Sequence, residues 1–227
     1  MQDISGGHLI AFSGIDGAGK STQLELLKNH FQRQDARTVY LWSRGGYTTL
    51  LNALKDACRR IAGKKLPASG VSEKREQILR KGWIQRLWLS AAILDLMRVY
   101  GIQVRWWLLS GKTVLCDRYL WDTLLDFKIA FPDVQIERWF LWKILVRLTP
   151  SPDTAFLLMI PLEESERRCQ IKYEPFPDTP ERREQRYMLY QKLSKLGYWQ
   201  IVDASQPVDQ VFASIVAEVC KKEVVSK

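Results

Sequence analysis

Histidine is scarce in this chain: His8 and His30 are the only two among 227 residues. The four cysteines, Cys58, Cys116, Cys169 and Cys220, lie far apart, and no two have metal-ligand spacing. These shortages argue against a zinc site and leave reduced thiols in a cytoplasmic protein as the simplest reading. A signal peptide and an uninterrupted apolar span of membrane length are also lacking. So are an internal repeat and a linker that would separate two domains, and a single domain covering 1–227 is expected. Hydrophobic residues are plentiful, at 46%, enough for a sizeable core. Cations outnumber acids, with a net charge of +9. That balance fits nucleotide phosphates, nucleic acid or an anionic membrane surface, and charge alone does not choose.

The most informative stretch is Gly14-Ile15-Asp16-Gly17-Ala18-Gly19-Lys20-Ser21-Thr22. It carries a complete Walker A pattern, with strand-like Leu9–Phe12 before it and a helical pattern (Leu24, Leu27, Phe31) after it. Glycines let backbone N–H groups surround phosphate oxygens. The helix that begins near Lys20 adds unpaired N–H groups and the positive end of its dipole. Lys20 is expected to reach the outer phosphates, and the Ser21 hydroxyl to ligate Mg²⁺. Gly14, Gly17, Ala18, Gly19, Lys20, Ser21 and Thr22 are therefore the expected nucleotide-binding set.

Along the rest of the chain, strands are expected at Thr38–Trp42, Thr113–Cys116, Thr154–Ile160 and Tyr198–Val202. Helices are expected over 48–61, from Ser72 onward with an interruption near Gly101, and over 122–130, 134–148, 163–172, 180–196 and 208–221. Thr179-Pro180-Glu181 has the form of a cap, a first-turn proline and an acidic first turn. Strands and helices alternate, which predicts a three-layer α/β P-loop NTPase fold with a parallel sheet of about five strands. A short helical lid is expected at about 167–183.

In such sheets, ligands gather at the carboxyl ends of strands. Asp117-Arg118-Tyr119 follows Val114-Leu115-Cys116. Asp117 is placed to hold Mg²⁺ through water, and Arg118 to stabilise charge on phosphate. An internal Asp–Arg ion pair that merely shapes the loop is the competing reading. Arg44, just past the second strand, suits a phosphate. Arg168 and Lys172 are the preferred lid cations, although Glu163, Glu164 and Glu166 alternate with the bases as on a solvated face.

These motifs together resemble the thymidylate kinases, within the P-loop nucleoside monophosphate kinases. The resemblance rests on Ser13–Gln23, on Asp117-Arg118-Tyr119, on the Arg-bearing lid and on Ile201–Gln206, and it spans nearly the whole chain. It implies Mg²⁺-dependent transfer of the γ-phosphoryl group of ATP to an acceptor phosphate, by default that of dTMP. It places Asp16 at the acceptor sugar and the metal, and Ser205 on the adenine side. It puts Arg44, Arg118, Tyr119 and Asp122 at the acceptor, with Lys20, Asp16, Arg118, Arg168 and Lys172 acting in transfer. Because Ala18 stands where some members place an Arg, the charge-stabilising cation would come from the lid. A homodimer is also implied.

Three departures from the family pattern bear on the acceptor. Ser13 stands where a Glu is usual, and Leu96 where an Arg helps hold the acceptor. Asp122-Thr123-Leu124-Leu125-Asp126-Phe127 replaces a Ser-Ser-x-Ala-Tyr-Gln stretch of the pyrimidine pocket. Asp122 and Asp126 lie one turn apart on a helix, to grip hydroxyls of an acceptor or to face solvent. A different phosphorylated acceptor is thus the alternative, and a nucleotide-binding protein with little turnover is a third reading. The Trp-rich middle, with Trp83, Trp88, Trp106, Trp107, Trp121, Trp139 and Trp142 among cations, reads foremost as helix core plus a dimer interface. Nucleic acid is not expected as a partner, and membrane association is not the favoured reading.

Overall fold

The computed structural model describes residues 7–43, 82–171 and 178–225. The expected helix at 48–61, the Ser72 cap, Arg44 and Lys172 lie outside the described residues. The expected lid is described only at its two ends.

Five strands form one wholly parallel sheet: β1 (Leu9–Ser13), β2 (Thr38–Trp42), β3 (Thr113–Asp117), β4 (Thr154–Met159) and β5 (Gln200–Asp203). The spatial order is β2-β3-β1-β4-β5. Between them run α1 (Lys20–Gln32), α2 (Gly82–Leu96), α3 (Arg105–Leu109), α4 (Leu120–Ala130), α5 (Phe140–Leu148), α6 (Leu162–Ile171), α7 (Pro180–Ser194) and α8 (Val208–Val225). This is the three-layer α/β architecture expected of a P-loop protein.

The alternation of side chains along each strand divides the interior in two. Ile10 and Phe12 join Leu115, Phe156 and Leu158 in a core shared with Leu24, Leu27 and Phe31 of α1 and Ile215 of α8. Leu9 and Ala11 point the other way, to Val114 and Cys116, and meet Leu89, Ile93 and Leu96 of α2 and Leu145 of α5. Every residue of β1 and β3 is buried, as a central parallel sheet covered on both faces requires. Register sets Phe12 beside Asp117 and Asp117 beside Trp42, so the carboxyl ends of β1, β2 and β3 finish together.

Several boundaries differ from expectation. The segment 134–148 is not one helix: a short 3₁₀ turn, Ile136–Arg138, precedes α5, and extended Trp139 separates them. The last strand begins at Gln200 rather than Tyr198. Gly101 does not interrupt its helix. A π-helical stretch, Met97–Val104, joins α2 to α3 and continues the helix to Leu109. A Cβ at Gly101 would stand 3.2 Å from the Leu148 Cβ, so the glycine permits α5 to come close. This joined helix, Gly82–Leu109, is long and apolar enough by length and composition to cross a membrane, but Arg86, Asp95, Arg98 and Arg105 interrupt it and 44% of its most apolar window is buried in the protein. Thr179 caps α7 as expected: its side chain accepts from the Arg182 N–H, and Pro180 occupies the first turn.

Candidate functional site

The Gly-rich loop leaves β1 at Ser13 and enters α1 at Lys20. Gly14 and Gly17 have positive φ, and each is crowded on the side where a Cβ would stand. At Gly14 the Leu158 carbonyl oxygen would lie 2.5 Å away, and at Gly17 the Ser165 carbonyl oxygen would lie 2.9 Å away. These glycines therefore let the loop settle on β4 and α6. Gly19 also has positive φ (83°), but no atom lies within 4 Å of its Cβ position. That side of the loop is open where α1 begins, and α1 has no side-chain cap. Its first N–H groups are left for an anion.

α6 clamps the loop from outside. The buried Ser165 hydroxyl donates to the Asp16 carbonyl at 2.6 Å. Arg168 Nη1 donates to the Gly17 carbonyl at 3.4 Å and to the Ala204 carbonyl at 3.1 Å, joining the loop to the segment after β5. Its Nε donates to Glu164 at 2.6 Å. Arg167 and then Arg168 hold the Glu164 carboxyl down at about 2. In that segment the Ser205 hydroxyl donates to Asp203 at 2.5 Å and Gln206 donates to it at 3.0 Å, a compact turn at the sheet edge.

Lys20 is buried. Its Nζ donates to the Gly14 and Ile15 carbonyls at 3.0 and 2.9 Å. Burial, and then the nearby Arg118, lower its pKa below the usual 10.5. The next two residues, Ser21 and Thr22, are exposed. Ser21 Oγ donates to Asp117 Oδ2 at 3.2 Å, and the Tyr40 hydroxyl donates to the same oxygen at 3.0 Å. Asp117 Oδ1 is buried and has no hydrogen-bond partner among the described residues. An orphaned carboxylate oxygen next to a P-loop serine hydroxyl is a donor set of the hard, oxygen-only kind that Mg²⁺ takes, directly or through water.

One residue further on, Arg118 turns back into the protein with φ of 70°. For a non-glycine residue this left-handed conformation is uncommon and is found where surrounding contacts hold it. Here the Arg118 N–H donates to the Phe12 carbonyl at 2.9 Å. Its Nη2 donates to Asp16 at 2.5 Å, and Nη1 donates to the Tyr190 hydroxyl at 3.3 Å with Asp122 at 3.9 Å. Burial opposes its charge, but Tyr190, Asp16 and Asp122 outweigh it and raise the pKa above the ordinary value. The Asp–Arg pairing at this motif is internal, and it runs to Asp16 of the loop rather than to Asp117.

Asp122 does not face solvent. It is fully buried and its oxygens are engaged. Oδ2 accepts from the Ser13 hydroxyl at 2.5 Å and from the Tyr119 N–H at 2.9 Å, and Oδ1 accepts from Tyr190. Burial first, and then the Asp122 charge, push the Tyr190 phenol up. Asp126 is buried too and meets Arg186 Nη1 at 2.8 Å. Of the two alternatives for these acids, the solvent-facing one fails, because α7 brings buried partners over them. Tyr119 is 3% exposed, its ring lies tilted against that of Tyr100, and its hydroxyl donates to the Pro150 carbonyl at 3.1 Å. Leu96 is part of the hydrophobic core.

Sequence reasoning missed the contribution of α7. Arg186 is 2% exposed and bridges Asp126 to Asp178, whose Oδ2 lies 2.7 Å from Nε. Arg183 is buried beside it and donates to the Asp178 carbonyl at 3.3 Å. In the sequence, Arg182, Arg183 and Arg186 look like one solvated basic face. The spacing of Arg186 and Tyr190, one helical turn apart, was the available signal for an inward stripe.

A family profile described as thymidylate kinase matches residues 84–215. The match takes in Asp117–Tyr119, α4, α6 and α7. Relatives extend the likeness to the phosphate loop. A thymidylate kinase of Desulfotalea psychrophila is 26% identical over 219 residues, covering 94% of each chain. A probable thymidylate kinase of Pyrococcus horikoshii is 28% identical over 227 residues, covering 93% of this chain and 95% of its own. One from Thermococcus gammatolerans is 29% identical over 229 residues, covering 97% and 99%. Since the profile takes in more than half of the chain, and the geometry at the end of β3 suits phosphate chemistry, the chain belongs to the thymidylate kinase family and is a kinase.

Proposed function

We propose that the protein transfers the γ-phosphoryl group of ATP, with Mg²⁺, to a nucleoside monophosphate, dTMP before others. The observation that carries this reading is the buried Asp117 Oδ1, without a hydrogen-bond partner among the described residues, beside Ser21 at the mouth of a loop open at Gly19. Ser21 and Asp117 are the residues that would hold the metal, whose bound charge offsets that of the phosphates. The amides of Gly14–Thr22 and the first turn of α1 bind the phosphate tail. Lys20 exchanges its two loop carbonyls for phosphate oxygens. An oxygen of the acceptor phosphate attacks the γ-phosphorus in line, the bond to the β-phosphate oxygen breaks, and ADP leaves. Arg118, held by Asp16 and Tyr190, and Arg168, at the junction of the loop and the β5 turn, provide cations about the migrating group. Arg44 and Lys172 are proposed to add to them, and Ser205 to border the adenine.

A second acceptor class has its own support. Asp122 and Asp126 stand where the family pattern carries Ser and Tyr, and both are fixed in buried contacts with Arg118, Tyr190 and Arg186. A pocket with that polar pattern matches a different set of acceptor groups from one built for thymine. Initial rates with radiolabelled ATP and a panel of acceptors (dTMP, UMP, CMP and sugar phosphates) separate the two. The expected result is the highest kcat/KM with dTMP. A sugar phosphate or another nucleotide exceeding dTMP about tenfold, worth ~1.4 kcal/mol of transition-state binding, would replace dTMP as the acceptor. Tight ATP binding with no acceptor-stimulated ADP release would leave only a nucleotide-binding protein.

A further inference from the structure

Two donors from different elements converge on one oxygen of Asp117. Ser21 Oγ, in the first turn of α1, donates to Oδ2 at 3.2 Å, and the Tyr40 hydroxyl, from β2, donates to the same atom at 3.0 Å. The other oxygen, Oδ1, is buried and has no hydrogen-bond partner among the described residues. A carboxylate turns easily about its bond to Cβ, because that torsion has broad minima. Which oxygen is left over therefore depends on what holds the first one. Ser21 is a tether on the phosphate-binding element itself. Tyr40 is a second tether, and it stands on the sheet.

The strand register explains the reach. Tyr40 lies beside Leu115, and Trp42 beside Asp117. Side chains alternate along a strand, so Tyr40 shares a sheet face with Leu115 and, two residues on, with Asp117. Leu115 packs with α1, which identifies that face as the one bearing Ser21. Two residues of strand span roughly 7 Å, a distance that a phenol crosses and a serine or threonine at position 40 does not. The hydroxyl is not needed to join the strands. β2 and β3 are already paired from Thr38 to Trp42, and the Ser43 N–H extends the pairing to the Asp117 carbonyl at 3.2 Å. Nor does burial oblige it to find a protein partner, since Tyr40 is 47% exposed.

We propose that Tyr40 is a positioning residue for Mg²⁺: its hydroxyl fixes the rotation of Asp117, saturating Oδ2 and keeping Oδ1 for the ion or its bound water. This role rests on the reading of Ser21 and Asp117 as the metal-holding pair. Tyr40 itself touches neither metal nor nucleotide; it acts through the carboxylate, as hydrogen bonds outside a ligand set orient the ligands within it. The two tethers are compatible with a bound ion. A serine hydroxyl can offer a lone pair to the metal and still donate its proton to Oδ2. With the phenol removed, Ser21 alone would have to orient the carboxylate while also serving as a ligand.

The test uses Mn²⁺, which takes the same oxygen donors as Mg²⁺ and is read directly from the electron paramagnetic resonance signal of the free ion. The full chain with saturating ADP is titrated as wild type, Tyr40→Phe and Asp117→Asn. Tyr40→Phe, which keeps the ring and removes only the hydroxyl, should weaken Mn²⁺ binding about tenfold or more. ADP affinity measured in EDTA, and the melting temperature, should stay at the wild-type values. In turnover, the Mg²⁺ concentration for half-maximal rate should rise about tenfold, with kcat recovered at saturating Mg²⁺. If Asp117→Asn weakens Mn²⁺ binding and Tyr40→Phe does not, the role of Tyr40 is overturned and the metal reading stands. If neither variant changes Mn²⁺ binding, both are overturned. An equal loss of ADP affinity in EDTA, together with a lower melting temperature, would overturn the positioning role in favour of a general structural one.

Discussion

Lys20→Met should reduce acceptor-dependent ADP release by about 10²–10³-fold, the usual cost of removing one preorganised charge-stabilising donor. The fold should survive the change. Lys20 is buried, and burial, the largest influence, lowers its pKa below 10.5, so its charged form is less favourable inside the protein than in water. Below its folded pKa, both folded and unfolded chains hold the proton, and the full cost of burying the charge is present. Between that pKa and 10.5 the unfolded chain binds more protons, so wild-type stability rises with pH. The melting temperature of the wild type should therefore gain on that of Lys20→Met as pH is raised from 7 toward 10.5. Thermal unfolding at several pH values, with coupled ADP assays at neutral pH, reads both effects. A variant that retains wild-type turnover would remove Lys20 from the chemistry.

Arg118→Met is expected to be the most damaging single change to stability as well as to activity. It strips the cation from Asp16 and Asp122, two buried carboxylates on different elements, and deprives Tyr190 of a donor. Breaking a buried pair from one side leaves an uncompensated charge and costs about 3–5 kcal/mol. Urea unfolding should show that loss as a lower midpoint with little change in slope. Arg118→Lys keeps the charge at the same left-handed backbone position. It cannot reach Asp16 and Tyr190 at once with a forked head, so it should restore only part of the stability. A loss of under about 1 kcal/mol in Arg118→Met, typical of exposed pairs, would mean the contacts around Arg118 contribute little.

The parts of the site legible in the sequence are those set by local chemistry. The spacing of Gly14, Gly19, Lys20 and Ser21 demands a strand–loop–helix, and β1 and α1 stand on either side of it. Asp117 could be placed because it closes a short run of apolar residues, which marks a buried parallel strand. What was not legible depends on which segments meet. Ser13 and Asp122 each look like an isolated departure from the family pattern, one losing an acid and the other gaining one. In the fold they touch at 2.5 Å, so the carboxylate has in effect moved from the loop to α4. Arg186 reads as a surface cation because α7 is rich in charge; its burial is decided by Asp126, which comes from α4, together with Asp178 just ahead of the α7 cap. The helix from Gly82 to Leu109 is obscured by Gly101, since composition does not distinguish a glycine that breaks a helix from one that admits a neighbouring helix.

The most direct test is a crystal structure of the protein with a non-hydrolysable ATP analogue, dTMP and Mg²⁺. The predicted result is a triphosphate wrapped by the amides of Gly14–Thr22, with the metal about 2.1 Å from Ser21 Oγ and Asp117 Oδ1 reaching it directly or through one water. A nucleotide bound away from this loop, or a metal out of reach of both Ser21 and Asp117, would contradict the assignment of the site.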